Sequence, residues 1–221
     1  MNPLIHTAID TWIFDLDNTL YPAGSNLFPQ ISARMGEFIA ARFALDADAA
    51  RAMRTRLFRA HGTTLRGLMI EHGVDPHEFM DYVHNVDLSG LTPAIALAAA
   101  LAALPGRKLV HTNGSRRHAV RILDHLGLAG HVAGIFDIAD AGFVPKPDPA
   151  GYRALIERFG VEPRRAAMVE DMAVNLAPAA ELGMVTVLVR SANDWAAEGA
   201  EGAWVHHRID DLAGWLAALP G

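Results

Sequence analysis

Two carboxylates stand one residue apart at the end of an apolar run, Trp12-Ile13-Phe14-Asp15-Leu16-Asp17-Asn18-Thr19-Leu20-Tyr21. Acids that close need a cation or a shared proton to coexist. Three more polar clusters follow short apolar segments: Thr112-Asn113, Lys146 in Pro145-Lys146-Pro147, and Glu170-Asp171. This inventory suits phosphoryl transfer. Asp15 can act as nucleophile through an aspartyl-phosphate. Asp17 can protonate the leaving oxygen and then deprotonate the attacking water. Carboxylates of Asp15 and Asp171, a backbone carbonyl and waters make an all-oxygen set suited to Mg²⁺. Such an ion would offset the repulsion between a carboxylate nucleophile and a phosphate dianion. Lys146 supplies a compact positive charge. The Thr112 hydroxyl and nearby backbone N–H groups can bond phosphate oxygens.

The elements that must position these groups are strands alternating with helices. Ile9 to Phe14 reads as a strand buried on both faces, as in a parallel sheet. Lys108–His111, Gly134–Ile138, Ala166–Val169 and Val185–Val189 read as further strands, and Trp204–His206 as a short last one. Helices are expected over Ala94–Leu104, Arg116–Leu126, Gly151–Phe159, from Asp171 to about Leu182, and over Asp211–Leu219. This alternation predicts a parallel sheet with helices on both faces. Each polar cluster then falls at the carboxyl end of a strand, where open α/β sheets bind ligands.

One interval breaks the regularity. A crossover unit takes roughly 30 residues, yet the chain from Asp17 to Thr112 is far longer than the later intervals to Lys146 and Asp171. The excess is helical throughout. Ile31, Met35, Phe38, Ile39 and Phe43 form one apolar stripe, Asp46–His61 continues in helix formers, Thr63–Ile70 reads as a short helix, and Asp75-Pro76 starts another through Val86. We read this stretch as an insertion that leaves the sheet just after the two aspartates, well placed to act as a lid.

Bulk properties set limits. The chain has 221 residues, 51% hydrophobic and 20% charged, with a net charge of −6. That is ordinary globular composition with no basic footprint for nucleic acid. The absence of cysteine excludes disulfides and thiolate metal sites. Met1–His6 carries no targeting signature, and the apolar run Ala94–Leu104 is too short to span a bilayer. A cytoplasmic protein is expected. Eleven histidines lack a set at ligand spacing, so no transition-metal site is expected, and His111 and His118 read as structural.

Asp15-Leu16-Asp17-Asn18-Thr19-Leu20 with Thr112, Lys146-Pro147 and Glu170-Asp171 resembles the haloacid dehalogenase superfamily of phosphohydrolases. The resemblance implies an α/β fold with a Rossmann-like parallel sheet and an all-helical cap inserted after the first strand. Residues 1–21 and 91–221 would form the core, and 22–90 the cap. It implies Asp15 as nucleophile and metal ligand. Asp17 would be the acid/base, binding Mg²⁺ through its backbone carbonyl. Asp171 would complete the metal site, with Glu170 ligating directly or through water, and Thr112 and Lys146 would hold the phosphoryl group. Leu20-Tyr21, His61-Gly62-Thr63-Thr64-Leu65-Arg66-Gly67-Leu68 and His118-Ala119 are similar to the pyrimidine 5′-nucleotidase subfamily, which implies UMP- or CMP-like substrates. Met172 departs from the Ser carried by many relatives, with its side chain packing or lining the site.

Several residues keep two readings. Arg66 either binds substrate from the cap or is a solvated helical side chain. Asn113 either reaches phosphate or shapes the turn. Asn175 either positions the acidic pair or is helix polarity. Glu170-Asp171 suits both a metal and a helix start. A phosphosugar phosphatase or phosphomutase would use the same machinery. A dehalogenase would not need Asp17. A phospho-receiver signalling domain would be shorter and lack the cap.

Overall fold

Trp12 and Phe14 point to one side of the first strand, β1 (Thr11–Phe14), and Ile13 to the other, and the whole strand is buried. The computed structural model describes residues 9–190 and 198–219; Met1–His6 lies outside them. Five strands join β1: β2 (Arg107–His111), β3 (Gly134–Phe136), β4 (Ala166–Glu170), β5 (Val185–Val189) and β6 (His207–Ile209). The order is β3-β2-β1-β4-β5-β6, every pair parallel. From β1 the chain builds outward to β3, then returns to the other side of β1 for β4. That reversal is the topological switch point at which doubly wound sheets bind ligands.

Register decides what meets there. Phe14 pairs with Val110 on one side and with Val169 on the other. One residue further, Asp15, His111 and Glu170 come level, and the Asp15 N–H still donates to Val169 O at 2.9 Å.

Between β1 and β2 stands the helical cap. It comprises α1 (Leu27–Phe43), α2 (Ala47–His61), α3 (Thr64–His72) and α4 (Pro76–Val83), and α5 (Ile95–Ala103) then leads back to the sheet. Local signals start these helices. Asp46 accepts from Ala49 N–H at 2.8 Å, Thr63 from Arg66 N–H at 3.1 Å, and Asp75 from His77 N–H at 2.7 Å. Their apolar faces bury Leu57, Leu68, Phe79 and Val83, with Phe38 edge-on to Phe79 at 5.2 Å.

Helices cover both faces of the sheet. On one side α5, α6 (Arg116–Leu126) and α9 (Leu212–Ala217) pack on Trp12, Phe14, Val110 and Val187. On the other, α7 (Pro149–Phe159) and α8 (Ala173–Glu181) pack on Ile13, Leu109 and Met168. Among the described residues no helix is long and apolar enough to cross a membrane.

Some boundaries differ from the sequence reading. The last strand lies at His207–Ile209, three residues later than expected. Residues 204–206 bond through other groups: Thr186 Oγ1 accepts from His206 N–H at 3.1 Å, and Trp204 Nε1 donates to Ala173 O at 3.0 Å. The strand at Gly134 stops at Phe136 because the Asp137 carboxylate turns the chain, accepting from Arg116 N–H at 2.7 Å and Asp140 N–H at 3.1 Å. The helix begun at Pro76 ends at Val83, short of Val86.

Gly106 makes the turn into β2 with φ +85°. A Cβ there would lie 2.5 Å from Asp10 O, the same oxygen that accepts from Arg107 N–H. Gly106→Ala is expected to cost on the order of 3 kcal/mol. Urea unfolding checks this, and an unchanged midpoint would refute the assignment.

Candidate active site

β1 ends by placing Asp15 on the carboxyl edge of the sheet, and a single tight turn follows. Leu20 N–H donates to Leu16 O at 3.0 Å, and Asn18 takes the left-handed region with φ +64°. Asn accepts that conformation more readily than most side chains. The turn brings Tyr21 back against Asp17, whose Oδ1 accepts the Tyr21 hydroxyl hydrogen.

Lys146 enters from the loop between β3 and α7 and is buried. Its ammonium donates to Asp15 Oδ1 at 2.7 Å, Glu170 Oε1 at 2.8 Å and His111 O at 3.0 Å. All three hydrogens are thereby used. Asn113 holds this loop in place: its Oδ1 accepts from Lys146 N–H at 2.8 Å, and its Nδ2 donates to Lys146 O at 3.5 Å. The Asn113 side chain is thus committed to the lysine backbone. Asn175 Nδ2 donates to Glu170 Oε1 at 2.6 Å, and Met172 N–H donates to Glu170 Oε2 at 2.5 Å. The Thr112 hydroxyl accepts from Gly114 N–H at 2.9 Å and keeps its own hydrogen to donate. Asp171 is different: Oδ2 is buried with no partner among the described residues.

Carboxylate oxygens of Asp15, Glu170 and Asp171 all lie within 4.8 Å of one another, so the three could hold a metal ion. An oxygen-only donor set with one buried, unpartnered oxygen fits a hard divalent cation. The charges say the same. Three buried carboxylates face one ammonium. Burial, with Glu170 and Asp15 nearby, pushes Asp171 up to about 9. Burial also raises Asp15, against the pull of Lys146 and with help from Glu170 and Asp17, to about 7. Burial would lower Lys146, but Asp15 and Glu170 hold it above its ordinary range.

Asp17 is driven the opposite way. Burial would raise it, yet the field of His118 and the hydrogen bonds from His118 and Tyr21 bring it to about 2. His118 Nε2 stands 2.9 Å from Asp17 Oδ1. The expectation that His118 is merely structural is therefore corrected: the first turn of α6 aims it at the aspartate. His111 does pack as expected, edge-on to Phe136 at 5.4 Å and Tyr152 at 5.0 Å. Burial lowers its imidazole pKa. His84, just past α4, stacks on His118 with centroids 4.2 Å apart. Burial, chiefly, brings His84 down to about 3. Sequence reasoning missed His84, Tyr21 and His118 as site groups. The signal was faint: Tyr21 and His118 flank the two motifs, but nothing local says that they meet. Arg66 lies on α3, and its side chain makes no hydrogen bond or ion pair among the described residues.

The chain matches the family model for haloacid dehalogenase-like hydrolases over residues 9–183. It is 38% identical over 96 residues to a phosphoglycolate phosphatase of Rhodospirillum rubrum, covering 43% of this chain and 39% of that one. It is 25% identical over 199 residues to phosphate metabolism protein 8 of Saccharomyces cerevisiae, covering 82% and 61%. The chain thus spans less than two thirds of the length of these curated relatives. Its fold is similar to that of a 2-haloacid dehalogenase from Pseudomonas syringae, with TM-score 0.59, 21% identity, and 94% and 96% of the two chains covered.

Asp15 and Asp171 hold their protons more tightly in the folded protein than in the unfolded chain. They therefore stabilise the metal-free fold at low pH, and that contribution is lost as pH rises through about 7 and about 9. The Tm of metal-free protein is expected to fall from about pH 5 to about pH 9. Mg²⁺ should raise the Tm most at the alkaline end, where both acids ionise. Thermal melts with Mg²⁺ and with chelator check this, and a Mg²⁺ shift independent of pH would contradict it.

Proposed function

This chain belongs to the haloacid dehalogenase-like hydrolases, and from that premise we propose that it is a Mg²⁺-dependent phosphatase of small phosphomonoesters. The observation that carries the reading is the acid/base carboxylate Asp17, held separately from the Asp15 cluster by His118 and Tyr21. Hydrolysis of a haloacid needs a nucleophile but no acid for a halide leaving group. Two carboxylates in oppositely tuned surroundings suit nucleophile and proton carrier.

Asp15, Glu170 and Asp171 would hold Mg²⁺, together with the Asp17 backbone carbonyl. The ion supplies positive charge that keeps Asp15 ionised and screens it from the phosphate. A carboxylate oxygen of Asp15 attacks phosphorus, and the bond to the leaving oxygen breaks as Asp17 gives that oxygen a proton. Asp17, now a carboxylate, takes a proton from water, whose oxygen attacks phosphorus. The bond from phosphorus to Asp15 breaks, releasing phosphate and restoring both aspartates. Asp17 is a carboxylate in the free protein; a phosphate dianion beside it favours its protonated form. Thr112 gives its free hydroxyl hydrogen to a phosphoryl oxygen, while Lys146, its three hydrogens engaged, acts on the phosphoryl group through its charge, and Asn113 positions Lys146.

For the leaving group we propose a pyrimidine nucleoside, as in UMP or CMP, with residues 22–90 as the cap that selects it. Support comes from Tyr21 and His118, which belong to the motifs similar to that subfamily and both reach Asp17. The cap segment His61–Leu68 supports it less, because part of that segment serves packing. A Cβ on Gly67 would lie 2.8 Å from Leu57, so Gly67 is what lets α2 and α3 approach. Likeness to a phosphoglycolate phosphatase supports a second reading, a small phosphorylated acid or sugar. Arg66 is our candidate cap residue for an anionic or polar leaving group.

Hydrolysis of 4-nitrophenyl phosphate should require Mg²⁺ and fall by at least about 10³-fold in Asp15→Asn. Activity that survives that substitution overturns the mechanism. A panel of UMP, CMP, phosphoglycolate and sugar phosphates scored by kcat/KM tests the substrate, and preference for a sugar phosphate removes the nucleotidase reading.

A further inference from the structure

We propose that His118 is a positioning residue for Asp17, held in that posture by His84 of the cap; this rests on the phosphatase reading and names what aims its acid and base. A carboxylate has no hydrogen to give, so the 2.9 Å contact requires His118 Nε2 to carry one and donate it to Asp17 Oδ1. Oδ1 also accepts from Tyr21. With Oδ1 doubly engaged, Oδ2 is the oxygen left for proton transfer. It lies 3.6 Å from where a Gly114 Cβ would stand, and Thr112 Oγ1 lies 3.2 Å from the same point. Glycine there keeps open the space between the proton carrier and a phosphoryl-binding hydroxyl.

His118 is itself fixed in an unusual way. Its side chain is fully buried, and Nδ1 has no hydrogen-bond partner among the described residues. Besides the Nε2 bond to Asp17, the ring is held by the stack with His84, at 4.2 Å and 13°. His84 is fastened in turn. Its Nδ1 lies 2.9 Å from Ser115 Oγ, and Arg121 donates to His84 O at 2.8 Å and to Val86 O at 3.0 Å. Arg117 and Asp81 pair at 3.5 Å on the outside of the same junction. Every one of these groups links the end of α4 to α6, the helix that carries His118. Seating of the cap at this junction thereby sets the direction of Asp17. The effect is carried by a hydrogen bond and a packed ring.

General acid/base catalysis depends on such placement. Removing His118 leaves Tyr21 alone on Oδ1, so the acid should be weakened without being lost. The test uses the Mg²⁺-loaded protein and phosphomonoesters whose leaving groups run from 4-nitrophenol to a simple alcohol. Poor leaving groups need the proton most. For His118→Ala we expect kcat to drop about tenfold on 4-nitrophenyl phosphate and about 100-fold on an alkyl phosphate, with KM nearly unchanged. His118→Gln, which can present a donor to Oδ1, should recover most of the loss. Should His118→Ala not fold, His84 decides: His84→Ala should steepen the leaving-group dependence, and His84→Phe, which keeps a ring on His118, should restore it. An equal loss across all leaving groups, a change confined to KM, or His84→Phe no better than His84→Ala overturns the proposal. A wild-type protein that hydrolyses none of the esters overturns the phosphatase reading, and this inference with it.

Discussion

The Lys146 ammonium buried between Asp15 and Glu170 is the contact around which the rest of the molecule is arranged. A charge taken out of water must be paired and fully hydrogen-bonded, or it neutralises. Lys146 meets that requirement with two carboxylates and the His111 carbonyl. The partners lie just past β1, on β2 and on β4, so the pairing demands the observed register. Asn113 and Asn175 serve the same contact from outside, one holding the lysine backbone and the other a glutamate oxygen. The arrangement is still short of positive charge, because Asp171 stands in the same cluster with an unpartnered oxygen. A site that is incomplete in charge and in ligands, at the switch point of a parallel sheet, is suited to a divalent cation.

Asp15 and Asp17 are neighbours in sequence and strangers in surroundings. Asp15 still belongs to the sheet, with its N–H on the β4 ladder and its side chain against a lysine. Asp17 lies past the strand, where the turn at Asn18 brings Tyr21 and α6 brings His118. One carboxyl is lifted by burial among like charges, and the other is lowered by two hydrogen-bond donors. The difference does not come from residue type. It comes from which elements close over each side chain, and divergent tuning of two carboxyls is what the proposed nucleophile and acid/base would require.

The fold by itself does not choose the chemistry. The same architecture occurs in a 2-haloacid dehalogenase, and function resides in the groups placed on a fold. Here those groups include one from the cap. His84 reaches the core through its stack on His118, and Arg121 fastens the backbone on either side of Asn85. The helical insertion is thus tied, through His118, to Asp17.

Much of the architecture was legible in the chain itself. Apolar runs of strand length, helix caps such as Asp75-Pro76, and polar residues at strand ends are local signals. They gave the parallel sheet, the inserted helices, and the gathering of Asp15, Lys146, Glu170 and Asp171 on one edge. Strand ends were less legible, because side chains such as Asp137 and Thr186 redirect backbone bonds that periodicity assigns to a ladder. Only the tertiary structure decided that Asn113 is spent on the lysine loop, that Arg66 has no polar partner among the described residues, and that His84, His118 and Tyr21 converge on Asp17. Periodicity and motif chemistry depend on residues a few positions apart, whereas these contacts join residues brought together by strand register and helix packing across the chain. The sequence by itself determined which groups could do chemistry. Register and packing determined which atoms of those groups are left free to do it.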